Sequence, residues 1–307
     1  MSTPIGINGG ILVGDEETAY GTESASKVQI HAISSSLGLR RSTRKQAAWA
    51  SARSQYIEQG VSYVDGEITA ALTKDNATMG NLLGAYALAV AAAANWVYTL
   101  GAYAPGYDSL TVAVNHGTAP EYTYTGLVPS SLRIELNNDG PCTYTAGFAG
   151  KAVAKEDSPT TMSPPLSSLI AMPSDIGTLT IVAGGSDTFD FNKITLDIAI
   201  PTAYAGLSCV GATTVRRAYW SGPMSLSGSI EMDLDDDDTA NVNTVAFLDD
   251  YIADGNLGAI TVYDGTNTWI TIDGAEMVGD PPSYQADEQG FVCNFEMENM
   301  ALLMTGA

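Results

Sequence analysis

The chain has 307 residues, 45% of them hydrophobic, which allows two domains of ordinary size and a real core. Its 35 acidic residues stand against 13 Lys and Arg, a net charge of −22, so the average field repels phosphates and excludes nucleic-acid binding driven by cation contacts. Cys142, Cys209 and Cys293 are far apart and form no CxxC pair, which fits free buried thiols in a reducing compartment.

In chain order, "MSTPIGINGG" has neither the basic nor the apolar region of a secretory signal. The glycine-rich "GINGGILVG" (6–14) is not a GxGxxG after a strand, and residues 1–22 read as an N-terminal arm with turns. A strand is predicted at "ISSSLGL" (33–39). The following stretch carries Arg40, Arg41, Arg44, Lys45 and Arg53, with Trp49 and Tyr56 as aromatic anchors. Its segment 46–60 fits either a short helix or an extended arm. Gly60 to Leu72 reads as a strand with glycines six apart. "NATMGNLLGAYALAV" then places Met79, Leu82, Leu83, Tyr86 and Val90 on one helical face. The apolar run 84–104 is mostly alanine and contains Asn95, so it reads as a buried helix rather than a membrane span. A hairpin is predicted over 124–148, and the Pro/Ser-rich stretch that follows reads as a linker over 156–188.

The chain repeats itself. Gly60, Gly66, Ile68 and Leu72 correspond to Gly222, Gly228, Ile230 and Leu234, at a constant offset of 162. An apolar helical pattern follows each, the second with Val245, Leu248 and Ile252 on one face. Upstream, "ISSSLGL" pairs with "ITLDIAI" (194–200). Downstream, 124–148 pairs with 272–297, each with a glycine near its start, and Cys142 falls at the place of Cys293. This divides the chain into an arm (1–22), a first module (23–155), a linker (156–188) and a second module (189–307). Each module reads as strand, long basic connection, strand, helix and hairpin: a mainly β unit, a sandwich or open barrel with one packed helix.

Four consecutive aspartates, Asp235 to Asp238, raise the question of a metal. An EF-hand frame from Asp233 puts Asp238 and Thr244 where Gly and Glu are needed, and a frame from Asp235 puts Ala240 and Ala246 there. Both fail. Asp236 to Asp238 instead precede a predicted helix, where carboxylates cap free amides. In "SIEMDLD", Ile230, Met232 and Leu234 share one face of a strand, and Glu231, Asp233 and Asp235 share the other. An acidic, solvated sheet face results. Catalysis finds little support: there are two histidines, His31 and His116, and no GxSxG, Walker loop or HExxH. No catalytic, cofactor or metal residue is assigned.

The order of features resembles the tail tube proteins of long-tailed bacteriophages. The residues that carry it are "GDEETAYGT" (14–22), "LRRSTRKQAAWASARSQYIEQGVSYVDGEITAAL" (39–72), "YTYTGLVPSSLRIEL" (122–136) and the stretch 194–234 from "ITLDIAIP" to "SIEMDL". The resemblance implies modules that supply strands to a ring-shaped β-barrel, six modules to a ring, and rings stacked into a tube. Genomic DNA leaves through that tube, and the tape measure protein occupies it. Two modules per chain favour a trimer with pseudo-sixfold symmetry; a hexamer is the alternative. Glu67, Glu231, Asp233 and Asp235 are then expected to face the lumen, with charge alternating around the ring because the first module offers Glu67 alone. Arg40, Arg41, Arg44, Lys45, Trp49, Arg53, Arg216 and Arg217 are expected on inter-subunit or inter-ring arms, a long β-hairpin reaching the neighbouring ring. The protein would be a structural component of the virion tail, assembled in the host cytoplasm with tail terminator and tail tip proteins, without a membrane. Competing readings are a tail terminator or head decoration protein, and an enzyme or carbohydrate-binding sandwich. The last lacks a common cleft for Trp96, Trp220 and Trp269.

Overall fold

The computed structural model describes residues 3–4, 9–16, 19–47, 54–92, 95–100, 109–117, 120–137, 140–162, 179–182, 187–189, 191–207, 212–233, 256–263, 268–278 and 290–305. The first part of the chain forms β1 (Thr3–Pro4), β2 (Gly10–Asp15), β3 (Val28–Ile30), β4 (Ala32–Ser35), β5 (Gly38–Ala47) and β6 (Ser54–Ala71). Helix α1 (Asn76–Gly84) follows, then β7 (Leu88–Ala92), β8 (Asn95–Leu100), β9 (Leu110–Asn115), β10 (Glu121–Asn137), β11 (Thr143–Gly150) and β12 (Ala152–Glu156). The rest comprises β13 (Leu179–Val182), β14 (Asp187–Phe189), β15 (Lys193–Ala199), β16 (Thr202–Ala205), β17 (Arg217–Trp220) and β18 (Ser225–Asp233). The last four strands are β19 (Asn256–Tyr263), β20 (Thr268–Met277), β21 (Gly290–Glu296) and β22 (Asn299–Thr305).

The fold is mainly β, as its alternating sequence requires, and the described strands pair antiparallel, with one isolated parallel bridge between Ser62 and Thr214. One sheet runs β6–β11–β10–β15–β18–β21–β20, with β4 and β5 sharing the free side of β6. β1 covers part of β4. The opposing layer holds β3–β2–β9–β10–β12 and β14–β13–β19–β20–β22–β8–β7. Period-2 strands such as "KITLDIA" bury Ile194, Leu196 and Ile198 and turn Thr195 and Asp197 outward. These side chains join Ile68, Tyr144, Phe148, Ile230 and Phe295, and Ile11, Val112, Ile270 and Met300 from the other layer, in one core. Among the described residues no pairing closes the sheets into a barrel, and the monomer is a sandwich.

The strands β10 and β20 belong to both layers, so each must bend. Gly126 and Gly274 supply the bends, at φ of +65° and +63°, where a side chain is strained. Two further groups of strands follow the same chain order. β4, β6, β10 and β11 lie in the spatial order β4–β6–β11–β10, and β15, β18, β20 and β21 lie in the order β15–β18–β21–β20. Gly66 faces Phe148 and Gly228 faces Phe295; a methyl on Gly228 would lie 2.5 Å from the Phe295 ring.

Several sequence expectations are corrected. The apolar run 84–104 is not a helix: α1 stops at Gly84, and β7 and β8 form a hairpin on β22. Pairing with β22 satisfies the backbone, and Tyr98 and Leu100 are buried two residues apart, a strand period that the alanines mask. Met79, Leu82, Leu83 and Tyr86 are buried as the helical pattern requires, but Val90 lies in β7. The expected N-terminal arm contains β2, whose Ile11 and Val13 are core residues. Buried on both faces, "GILV" lacks the alternation that marks a strand. The expected linker contains β13 and β14, with β13 paired to β19. Of the two readings of segment 46–60, the extended one holds where it is described, at the end of β5 and the start of β6. Cys142 and Cys293 are both free and buried, but not at matching places: Cys293 faces Ile230, whereas Ala146 faces Ile68. The second predicted helix, near 239–254, lies outside the described residues.

Candidate functional site

The outward face of the seven-stranded sheet is set by register. One row runs Thr69, Thr145, Arg133, Asp197, Ser227, Glu296 and Glu276. A second runs Thr143, Glu135, Thr195, Ser229 and Asn294, and a third Asn137, Lys193, Glu231 and Val292. A fourth runs Glu67, Gly147, Ser131, Ala199 and Ser225. Because strands alternate, the core side chains behind these rows force every intervening residue to this surface. The face is therefore mostly hydroxyls and carboxylates.

Only two cations stand in these rows, and both are matched by carboxylates at the β10–β15 seam. Arg133 donates from Nε to Asp197 Oδ1 at 2.6 Å and from Nη2 to Oδ2 at 3.1 Å. The hydrogen bond to Asp197, and then its charge, hold the Arg133 guanidinium above its usual pKa. Lys193 Nζ lies 3.6 Å from Glu135 Oε1. The remaining carboxylates of the rows, Glu67, Glu231, Glu276 and Glu296, are all exposed. The physical property of this face is a negative field over small polar groups, which repels a polyanion, and among the described residues of the rows each cation is already paired.

Of the residues singled out from sequence, Glu67 and Glu231 lie exposed on this face, on β6 and β18. Asp233 ends β18, at the register position of Gly290. Asp235 lies outside the described residues. Arg40 and Arg41 are exposed on β5, opposite Tyr63 and Ser62. Arg44 and Lys45 occupy β5 positions opposite Glu58 and Ile57. Trp49 and Arg53 lie outside the described residues. The exposed Arg216 adjoins β17, and Arg217 within β17 sits 5.4 Å from the Tyr20 ring centroid.

The basic stretches are thus not alike. β5 and β6 form a hairpin that prolongs the sheet. β16 and β17 form one that folds back onto the first part of the chain, where Tyr204 donates to the Val64 carbonyl at 2.8 Å and Trp220 Nε1 to Pro129 O at 2.9 Å.

Sequence reasoning missed the device that fixes the β10 bend. The buried carboxylate of Glu16 accepts from Gly126 N at 2.7 Å, Gly21 N at 2.6 Å, Thr111 Oγ1 at 3.1 Å and the Ser109 hydroxyl. Tyr20 donates to the Gly126 carbonyl at 2.9 Å and accepts from Ala218 N at 2.6 Å. Burial, partly offset by the Ala218 amide, pushes the Tyr20 phenol up to about 12. These groups join the N-terminal segment, the β10 bend and β17. Both lie in "GDEETAYGT", but nothing in that string tells a buried acid from a solvated one.

A family model described as phage tail tube protein matches residues 6–290. The chain belongs to the phage tail tube protein family. No curated protein matches it. As a tail tube protein it is a structural component of the phage tail, and self-assembly with other tail proteins goes with that membership. No helix among the described residues is long and apolar enough to cross a membrane.

Proposed function

We propose that this tail tube protein polymerises as stacked rings whose bore is lined by the acidic sheet face and conducts genomic DNA. Each chain supplies two modules, fused head to tail, so that three chains make a pseudo-sixfold ring. The division falls near residues 156–188 by sequence, with β13 and β14 pairing into the second unit.

One observation carries the reading: Glu67 and Glu231 stand exposed on the face, and each of its two described cations is paired across the β10–β15 seam. Unpaired cations would bind phosphates and make passage sticky and salt-dependent; carboxylates leave the thread mobile. The matching strand orders β4–β6–β11–β10 and β15–β18–β21–β20 support the duplication, as does the equivalence of Gly126 and Gly274. The two units already join edge to edge at the seam, and repeating that step between chains gives a heterologous contact that closes into a ring. Glu67 and Glu231 face the bore, and the basic hairpin that carries Arg40, Arg41, Arg44 and Lys45 bridges subunits. The tape measure protein and DNA pass without specific binding, and terminator and tip proteins cap the ends.

Negative-stain microscopy of purified protein tests this. Hollow tubes of stacked rings are expected. Closed rings that never stack would instead point to a terminator, and a monomer under all assembly conditions would refute the reading.

A further inference from the structure

The β16–β17 hairpin shows how one unit grips the next. It crosses the β10–β15 seam and lies on the sheet of the first unit. Ser62 N donates to Thr213 O and Val215 N to Ser62 O, each at 3.0 Å. The Tyr204 ring stands 4.7 Å from that of Tyr63, and Ala218 is buried against Val128 and Ala149.

The β5–β6 hairpin holds the same place after β4 that β16–β17 holds after β15. The pairs Arg44–Glu58 and Thr202–Trp220 are equivalent, the second strand at the offset of 162 that relates Gly60 to Gly222. β4 and β5 lie at one margin of the sheet, so the unit that receives this hairpin in the same manner belongs to another copy. Register identifies the receiving surface. Where the first unit has Val128 and Ala149 opposite each other, the second has Glu276 and Glu296, also opposite each other and exposed. Pro129, which accepts from Trp220, corresponds to Met277, and the exposed Val278 adjoins it.

The substitution is complementary. An apolar seat that takes Ala218 becomes a like-charged cross-strand pair, unfavourable in isolation. The incoming hairpin carries Arg40, Arg41, Arg44 and Lys45 on β5, against Arg216 and Arg217 in its counterpart.

We propose that the β5–β6 hairpin of one copy seats on the Glu276–Glu296 corner of the adjacent copy in the same ring. This rests on the ring reading above. It moves the basic arm from the neighbouring ring to the neighbouring subunit, and its charges select a head-to-tail contact.

Charge reversal tests it. One variant carries Glu276→Lys and Glu296→Lys; another carries Arg40→Glu, Arg41→Glu, Arg44→Glu and Lys45→Glu; a third combines all six. Circular dichroism and melting check that each folds, and light scattering with negative stain measures rings and tubes. Each set alone should lower ring yield at least tenfold, and the combination should restore it to within about threefold of the unsubstituted chain. Ring yield unchanged by either set, or no recovery in the combined variant when all three fold, overturns the seat and leaves the tube reading standing. Normal rings with shortened tubes in the arm variant would return the arm to the neighbouring ring and also overturn it. Failure of the unsubstituted chain to assemble removes the ring reading and the seat with it.

Discussion

Arg133 and Asp197 are cross-strand partners at the β10–β15 seam, joined by two hydrogen bonds of 2.6 and 3.1 Å. Both are substantially exposed, so the pair adds little to stability, at most about 1 kcal/mol. Its consequence is electrostatic: it cancels a cation on a face that otherwise repels phosphate. Asp197→Asn should shift chemical denaturation by less than about 1 kcal/mol. The same change should make assembled tubes retain DNA in low-salt co-sedimentation. Salt-independent exclusion of DNA by the Asp197→Asn tubes would contradict this.

The Glu16 cluster carries more stability. Glu16 is buried and accepts from four groups that its removal leaves without it. Glu16→Ala should cost roughly 2–4 kcal/mol, because buried donors lose an acceptor. Glu16→Gln should cost less, since an amide oxygen replaces part of the set. Urea unfolding of both variants measures the difference, and equal losses would contradict the assigned hydrogen bonds.

The glycine bends are equally exposed to test. Alanine at Gly126 or Gly274 must adopt positive φ, at a cost of about 1–2 kcal/mol. A Cβ would also lie 2.8 Å from Lys151 Cβ at the first and 2.7 Å from Glu298 Cγ at the second. Both variants should melt lower than the unsubstituted protein, and unchanged melting would remove the requirement for glycine.

Cys293 sets a pH response. Burial pushes its thiol from 9.0 up to about 12, because the core disfavours thiolate. The folded state therefore holds the proton more tightly than the unfolded state, so this contribution is intact below pH 9 and is lost as pH rises toward 12. Cys293→Ala should flatten the fall in stability between pH 9 and 10, measured by denaturation at each pH. In the native protein at pH 8, mass mapping should find Cys293 unlabelled by iodoacetamide, and labelled once urea is added. Rapid native labelling would contradict its burial.

What the sequence made legible follows from periodicity. Strands with one buried face, such as "SIEMD" and "KITLDIA", were readable because every second residue is apolar. α1 was readable from Met79, Leu82 and Leu83, and Asp75 caps it by accepting from Ala77 N at 3.2 Å and Thr78 N at 3.1 Å. Others were not: β2, buried on both faces, reads as a turn-rich arm, and β7 and β8 read as a helix, since alanine is at home in either. Pairing with distant strands decided those segments, and distance along the chain hides it. Of the acidic face, Glu67 and Glu231 were visible, whereas Glu135, Asp197, Glu276 and Glu296 join it only through the pairing of five strands. The neutralised cations, Arg133 and Lys193, could not be read at all, because their partners lie 64 and 58 positions away.

The most direct test is a cryo-electron microscopy reconstruction of the assembled tube. The account predicts three chains per ring, six similar units around the bore, and the Glu67 and Glu231 side chains turned inward. A ring whose bore is lined by another surface, with those two carboxylates on the outside, would contradict it.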